Sequence, residues 1–330
     1  MAEALRLTGD PDGAMAVGQQ ALRLAAALGE SALQVQASQK LAMVYHAIGD
    51  FGRAAELLRQ NMEAADRESG TPSTDVRIGS RVRLVQTLSM LGEFAEGRRH
   101  GEEALRLATL EGRGAIPIIA HGCLGQLYLA QGDLEHAIRV LDQGLALCRT
   151  SGHQGWLRGI AAGMGYAYAL QGRLAEGRAL LEEAISVTLR TGALDNHSHR
   201  VARLSEVCRL AGCSEEARQY ARQALDLARQ HKECANEALA LHQLGVVHAH
   251  ADPPDAAQAE AYYQQALALA NELGMRPLVA HCRRGLGTLY AKVDLREQAR
   301  AELSTAIDLY RAMDMTFWLP QAEATLAHIG

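Results

Sequence analysis

The chain has 330 residues, 48% hydrophobic and 22% charged, the proportions of a globular protein and not of a disordered or fibrous one. Only 4% of residues are aromatic, 3 Phe and 2 Trp among them, beside 31 Gly, which favours closely packed helices with small side chains over a β-sandwich. The formal net charge of −5 argues against nucleic-acid binding by bulk charge, and no run approaches the 18 or so apolar residues of a membrane span.

The first segment, Met1–Asp10, lacks the basic flank and apolar run of a signal peptide. From Gly9 onward one pattern repeats. Gly9, Gly49, Gly92, Gly132, Gly172 and Gly212 mark turns, and Asp252 and Asp294 continue the series in degenerate form. The spacing is 40 residues except for 43 across Thr71-Pro72-Ser73 and 42 from Asp252 to Asp294, across Pro253-Pro254. Both are places where proline tolerates insertion. Five residues after each turn stands Ala or Gly: Ala14, Ala54, Gly97, Ala137, Gly177, Ala217, Ala299, and Ala259 after the Pro-Pro insertion. Eight residues before each turn stands Leu or Met, from Leu41 and Leu84 through Met164 to Leu286. Four residues before, Tyr recurs, at Tyr45, Tyr128, Tyr168 and Tyr290.

The spacing predicts a helix hairpin per unit. Apolar residues at −8 and −4 lie over each other on one helical face. Small residues let two helix axes approach closely, and a turn glycine can take the positive φ that ends a helix. A second set of breakers, Gly29, Gly112, Gly152, Gly192 and Gly274, ends the second helix. Neither helix can bury its apolar face alone, so the hairpins must stack. Eight hairpins at inter-helix spacings of about 8–10 Å predict an elongated body on the order of 80 Å.

The units, best seen in LGQLYLAQGDLEHAIRVLDQGLAL (Leu124–Leu147) and LGTLYAKVDLREQARAELSTAIDLY (Leu286–Tyr310), resemble tetratricopeptide repeats over essentially the whole chain. Their length of about 40 residues is similar to the repeats of kinesin light chain and of sensor regions in bacterial signalling ATPases, adenylate cyclase proteins and transcription activators. The resemblance implies an all-α fold, a right-handed α-solenoid of about eight hairpins over residues 1–314. A capping helix over 315–330, carrying Phe317, Trp318 and Leu319, completes it. Only about eight residues precede Gly9, so the first hairpin is expected to be incomplete, a fragment of a longer chain or a site of self-association.

Catalytic patterns are missing. Cys123, Cys148, Cys208, Cys213, Cys234 and Cys282 include no CxxC pair and read as reduced, mostly buried thiols of a cytoplasmic protein. His197, His199, Cys208 and Cys213 crowd within 17 residues, but without HExxH or zinc-ligand spacing, and Cys208 and His248 fall on the packing stripe. Gly163-Met164-Gly165 and Gly285-Leu286-Gly287 lie inside helices with no preceding strand or GK[ST], so they read as helix-packing glycines and not phosphate loops. Glu102-Glu103 and Glu182-Glu183 read as solvated faces. No enzyme, metal or cofactor is expected.

The groove remains. The resemblance implies that the first helix of each hairpin lines the concave face, which selects Gln39, Lys40, Met43, His46, Arg83, Gln86, Gln126 and Tyr166 as candidates. Arg203, Glu206, Arg209, His242, Gln243, Arg284 and Thr288 continue the series. The recurring cations suit an acidic protein or peptide partner, and the stretch around Gly122, Ala162 and Gly163 reads as nearly featureless. The leading expectation is a non-enzymatic protein–protein interaction scaffold. Its alternative is a ligand-sensing region of a signalling ATPase, cyclase or transcription activator; a metal-dependent enzyme built on the His197–Cys213 cluster is the weakest.

Overall fold

The computed structural model describes residues 11–67, 74–111 and 114–329, and among them the chain forms sixteen helices and no strand. They are α1 (Pro11–Leu28), α2 (Ser31–Ile48), α3 (Phe51–Arg67), α4 (Thr74–Leu91), α5 (Phe94–Glu111), α6 (Ile116–Gln131), α7 (Leu134–Ser151) and α8 (Gln154–Leu170). The second half comprises α9 (Leu174–Thr191), α10 (His197–Leu210), α11 (Ser214–Gln230), α12 (Cys234–Ala249), α13 (Ala256–Glu272), α14 (Arg276–Lys292), α15 (Arg296–Ala312) and α16 (Leu319–Ala327). The turn at Gly9, the breaker Gly112 and the Thr71–Ser73 insertion lie outside the described residues.

Each hairpin closes as the pattern requires. Gly49, Gly92, Gly132, Gly172 and Gly212 take φ between 77° and 92°, and the backbone N–H of Asp133 returns to Tyr128 O over 2.9 Å. Asp294, which stands where the pattern puts glycine, takes the same left-handed turn with φ 61°, and Lys232 and Asp314 do so between hairpins. The small residues are at helix contacts: Ala14, Ala54, Ala137, Ala217, Ala259 and Ala299 are wholly buried. A methyl group on Gly165 would come within 2.6 Å of the Gly177 carbonyl oxygen, so the α8–α9 axes approach as close as backbone allows. The tyrosine stripe gains a polar anchor: Tyr128 Oη donates to Glu102 over 3.0 Å, and Tyr290 Oη to Glu260 over 2.7 Å, each reaching the preceding hairpin. Glu102 is therefore a partner of the next unit and not only a solvated side chain.

The elongated body does not form. The superhelix turns far enough for its later units to meet its earlier ones, and α14 packs against α4. Glycine turns make this seam. A methyl group on Gly49 would lie 2.7 Å from Leu273, and one on Gly132 would lie 2.7 Å from Phe317 Cβ. Gly92 meets Met313 and Pro277 in the same way. Gln131 Nε2 donates to Asp314 O over 3.2 Å, a bond spanning 183 residues of sequence. Gly172 and Gly212, at equivalent turns, face open space. The last helix begins at Leu319, so Phe317 and Trp318 sit in the turn before it and bear on the seam.

Candidate functional site

Closure turns the concave face into a lumen, a cavity of about 960 Å³, at the upper end of the range for small-ligand sites. The first helices of the hairpins, α2, α4, α6, α8, α10, α12 and α14, supply its wall. Of the fifteen candidates from sequence, thirteen line it: Met43, His46, Arg83, Gln86, Gln126, Tyr166, Arg203, Glu206, Arg209, His242, Gln243, Arg284 and Thr288. Gln39 instead packs against Gly79, where a methyl group would touch its Nε2 at 2.5 Å, and exposed Lys40 lies off the lumen wall. Sequence reasoning missed Trp156, Arg158, Asp195, His199, Arg200, His281 and Trp318, which also face the lumen.

The wall carries a charge opposite to that of the whole chain. Six arginines and two lysines line it, against three carboxylates, and those carboxylates are already engaged. Asp195 accepts from Arg158 over 2.8 Å. Glu206 accepts both Arg209 donors over 2.8–2.9 Å and Gln243 over 3.0 Å. Glu233 accepts from Ser198, from Asn236 and from the Asn196 backbone N–H. Burial works against the charge on Glu206, but Arg209 and Gln243 outweigh it and hold the carboxyl below its usual range.

Several cations meet only neutral acceptors. Arg203 donates to Gln126 Oε1 over 2.9 Å and sits 5.1 Å from the Tyr166 ring centre. Arg284 donates to Gln321 Oε1 over 2.7 Å and sits 5.4 Å from the Trp318 ring centre. Arg83 donates to Gln86 Oε1 over 3.0 Å. Burial without a counter-ion brings Arg203 down to about 10, still a cation at neutral pH, and raises the Tyr166 hydroxyl to about 12. Burial, with the nearby arginines, lowers three lumen histidines: His242 to about 4, and His199 and His281 well below their ordinary value. All three are neutral at pH 7.

The stretch around Gly122, Ala162 and Gly163 is less bare than its sequence. Gln126 folds over Gly163 and donates to Gly159 O across 3.0 Å. Gly155 and Gly159 keep open space in front of them. Other glycines are packing positions: a methyl group on Gly285 would lie 2.6 Å from the Tyr263 ring, and one on Gly287 would lie 2.6 Å from Leu303. Cys208 and His248 are buried on the packing stripe, and His197 is buried in the first turn of α10. Among the described residues, no three His, Cys, Asp or Glu side chains are grouped to hold a metal ion, and no helix is long and apolar enough to cross a membrane.

A model of the MalT-like TPR region matches residues 2–203, more than half of the chain. The chain belongs to the MalT-like TPR family. No curated protein matches it in sequence. Among solved structures, this TPR region resembles the Rap conjugation gene regulator of plasmid pLS20 in complex with the Phr* peptide. The TM-score is 0.69 at 16% identity over 86% of this chain and 75% of that one. A Rap protein complexed with Competence and Sporulation Factor aligns over 90% of this chain and 85% of its own, at 12% identity and TM-score 0.65. A STAND ATPase with a tetratricopeptide repeat sensor, from Pyrococcus horikoshii, matches 82% of the chain at 17% identity and TM-score 0.53. The chain spans 42% of that ATPase. At these identities the likeness is one of fold: a helical repeat solenoid.

Proposed function

We propose that this TPR region is a non-enzymatic interaction module whose lumen binds an acidic peptide or an extended acidic segment of a partner protein. One observation carries the reading: a cavity whose cations outnumber its carboxylates in a chain of net negative charge. Such a wall attracts an anionic chain into a site of low dielectric, where charge-assisted hydrogen bonds are strongest. A cavity of about 960 Å³ suits a few residues of extended chain and excludes a folded domain. One of the two Rap structures was solved with the Phr* peptide bound and the other with Competence and Sporulation Factor; the first supports a peptide as the class of occupant.

Gly155 and Gly159 also support it. Glycine inside a helix costs roughly 0.5–1 kcal/mol relative to alanine, and no neighbour crowds either position. Their absent side chains keep the lumen open. Both tryptophans of the chain, Trp156 and Trp318, line the same space, so intrinsic fluorescence reports occupancy. Titration with amidated octaglutamate, octalysine and octaglutamine peptides should change tryptophan emission for octaglutamate alone. Gly159→Leu, which projects a side chain into the lumen from the open face of α8, should weaken the response. An octaglutamate response left unchanged by Gly159→Leu and by Arg203→Gln places binding elsewhere and ends the proposal.

A sensor role within a signalling protein is the second reading. It rests on the family itself and on the repeat sensor of the STAND ATPase. Peptide occupancy of the lumen would then be the sensed event, and the same titration in a longer chain, read as ATP hydrolysis, tests it.

A further inference from the structure

Two of the lumen arginines are mounted alike although their surroundings come from unrelated positions. Arg203 on α10 is held at one N–H edge by the Gln126 carboxamide of α6, and the ring of Tyr166 on α8 lies beside it. Arg284 on α14 is held by the Gln321 carboxamide of α16, beside the ring of Trp318. In each, an aromatic ring stands by the guanidinium and a neutral oxygen orients it without cancelling its charge. Arg158 and Arg209, by contrast, are closed off by Asp195 and Glu206. Arg203 also keeps a buried Nε with no acceptor. The two mounted arginines share one space, since both line the lumen. A guanidinium fixed in this way presents the planar fork that matches a carboxylate in bidentate fashion.

We infer that the occupant of the lumen is an acidic peptide segment bearing two side-chain carboxylates, one seated on the fork of Arg203 and the other on that of Arg284. The inference rests on the lumen being the binding site and adds its specificity: two carboxylates at a fixed separation, not negative charge in general. Carboxamide mounts carry the argument. Had either arginine faced a protein carboxylate, an incoming one would gain little; facing glutamine, each fork gains a full charge-assisted pair.

The test uses fluorescein-labelled hexapeptide amides of Ala and Gly carrying two Glu separated by zero to four residues. Each has counterparts with one or both Glu replaced by Gln, and binding is read by fluorescence anisotropy. One separation should bind best, and either Glu→Gln change in that peptide should weaken it about tenfold or more, the loss of one charged hydrogen-bonded contact. Arg203→Gln and Arg284→Gln should each lower affinity for the two-Glu peptide to that of a one-Glu peptide. Each should also remove the further penalty for losing one of the two Glu. Arg139→Gln, an exposed cation off the lumen wall, should leave both the affinity and the preference for separation intact. Arg203→Lys, which keeps the charge on an unforked stem, covers the case of a Gln variant that misfolds, and full affinity in it overturns the inference. Equal binding at all separations, or competition by an oligothymidylate as strong as by the peptide, overturns it too while leaving a charged lumen site in place. If no hexapeptide of any charge binds the wild-type chain, the lumen reading itself fails.

Discussion

At the scale of single residues, glycine divides into two kinds that sequence alone does not separate. Gly165 faces the Gly177 carbonyl oxygen, which a methyl group would approach to 2.6 Å. Gly165→Ala should therefore cost about 1–3 kcal/mol, the penalty of overpacking against backbone. Gly159 faces open space, and Gly159→Ala should stabilise the chain by roughly 0.5–1 kcal/mol. Urea unfolding of the two variants checks both signs. The lumen histidines set a pH dependence. Their folded pKa values lie below the ordinary 6.5, with His242 at about 4. The unfolded chain then binds more protons between these values, so stability is complete above pH 6.5 and falls as pH drops toward 4. His242→Gln should flatten part of that slope in melts taken across the range. Thirteen of the fifteen groove candidates were legible from repeat position, because residues flanking the packing stripe face the lumen. Arg158, His199, Arg200 and His281 were not, because they lie in the first two turns of α8, α10 and α14, beyond the reach of a stripe defined at −8 and −4.

At the scale of elements, the hairpin follows from three devices: a small residue at the crossing, an apolar pair at −8 and −4, and a left-handed residue at the turn. The third survives without glycine. Asp294 holds φ 61° and pairs with Arg296 over 2.8 Å on the surface, and an exposed pair of this kind contributes little. Asp294→Gly should raise unfolding free energy by up to about 1 kcal/mol, since only glycine enters that region freely. Thermal melts of the variant test the gain. A repeat frame read from glycine alone would end at Gly212; position, not residue type, carried it to Asp294. The same frame could not show that Gln126 crosses Gly163, because a long side chain reaches a neighbouring helix that a repeat alignment treats as separate.

At the scale of the molecule, curvature was the property least legible in sequence. Gly49, Gly92, Gly132, Gly172 and Gly212 occupy equivalent turns, yet the first three meet the far end of the solenoid and the last two meet nothing. Small per-unit rotations accumulate over the seven hairpins of the described residues, and their sum decides between an open rod and a closed ring. Gly132→Ala and Gly172→Ala share the backbone cost of a positive φ, 92° and 85°, so comparing them isolates the seam. The Gly132 variant should lose more stability in urea, because its methyl group also displaces Phe317.

Everything assigned to the lumen depends on that closure, which a cross-link across the seam reads directly. The Cβ of a residue at 132 would stand 2.7 Å from Phe317 Cβ, about 1 Å closer than the Cβ–Cβ separation of a disulfide, so the bridge forms once residue 317 shifts outward by about that much. Gly132→Cys with Phe317→Cys, oxidised and run without reductant, should form a bond between residues 132 and 317, whereas Gly172→Cys with Phe317→Cys should form none. A folded, fully helical 132/317 variant that stays uncross-linked would contradict the closed ring and the lumen with it.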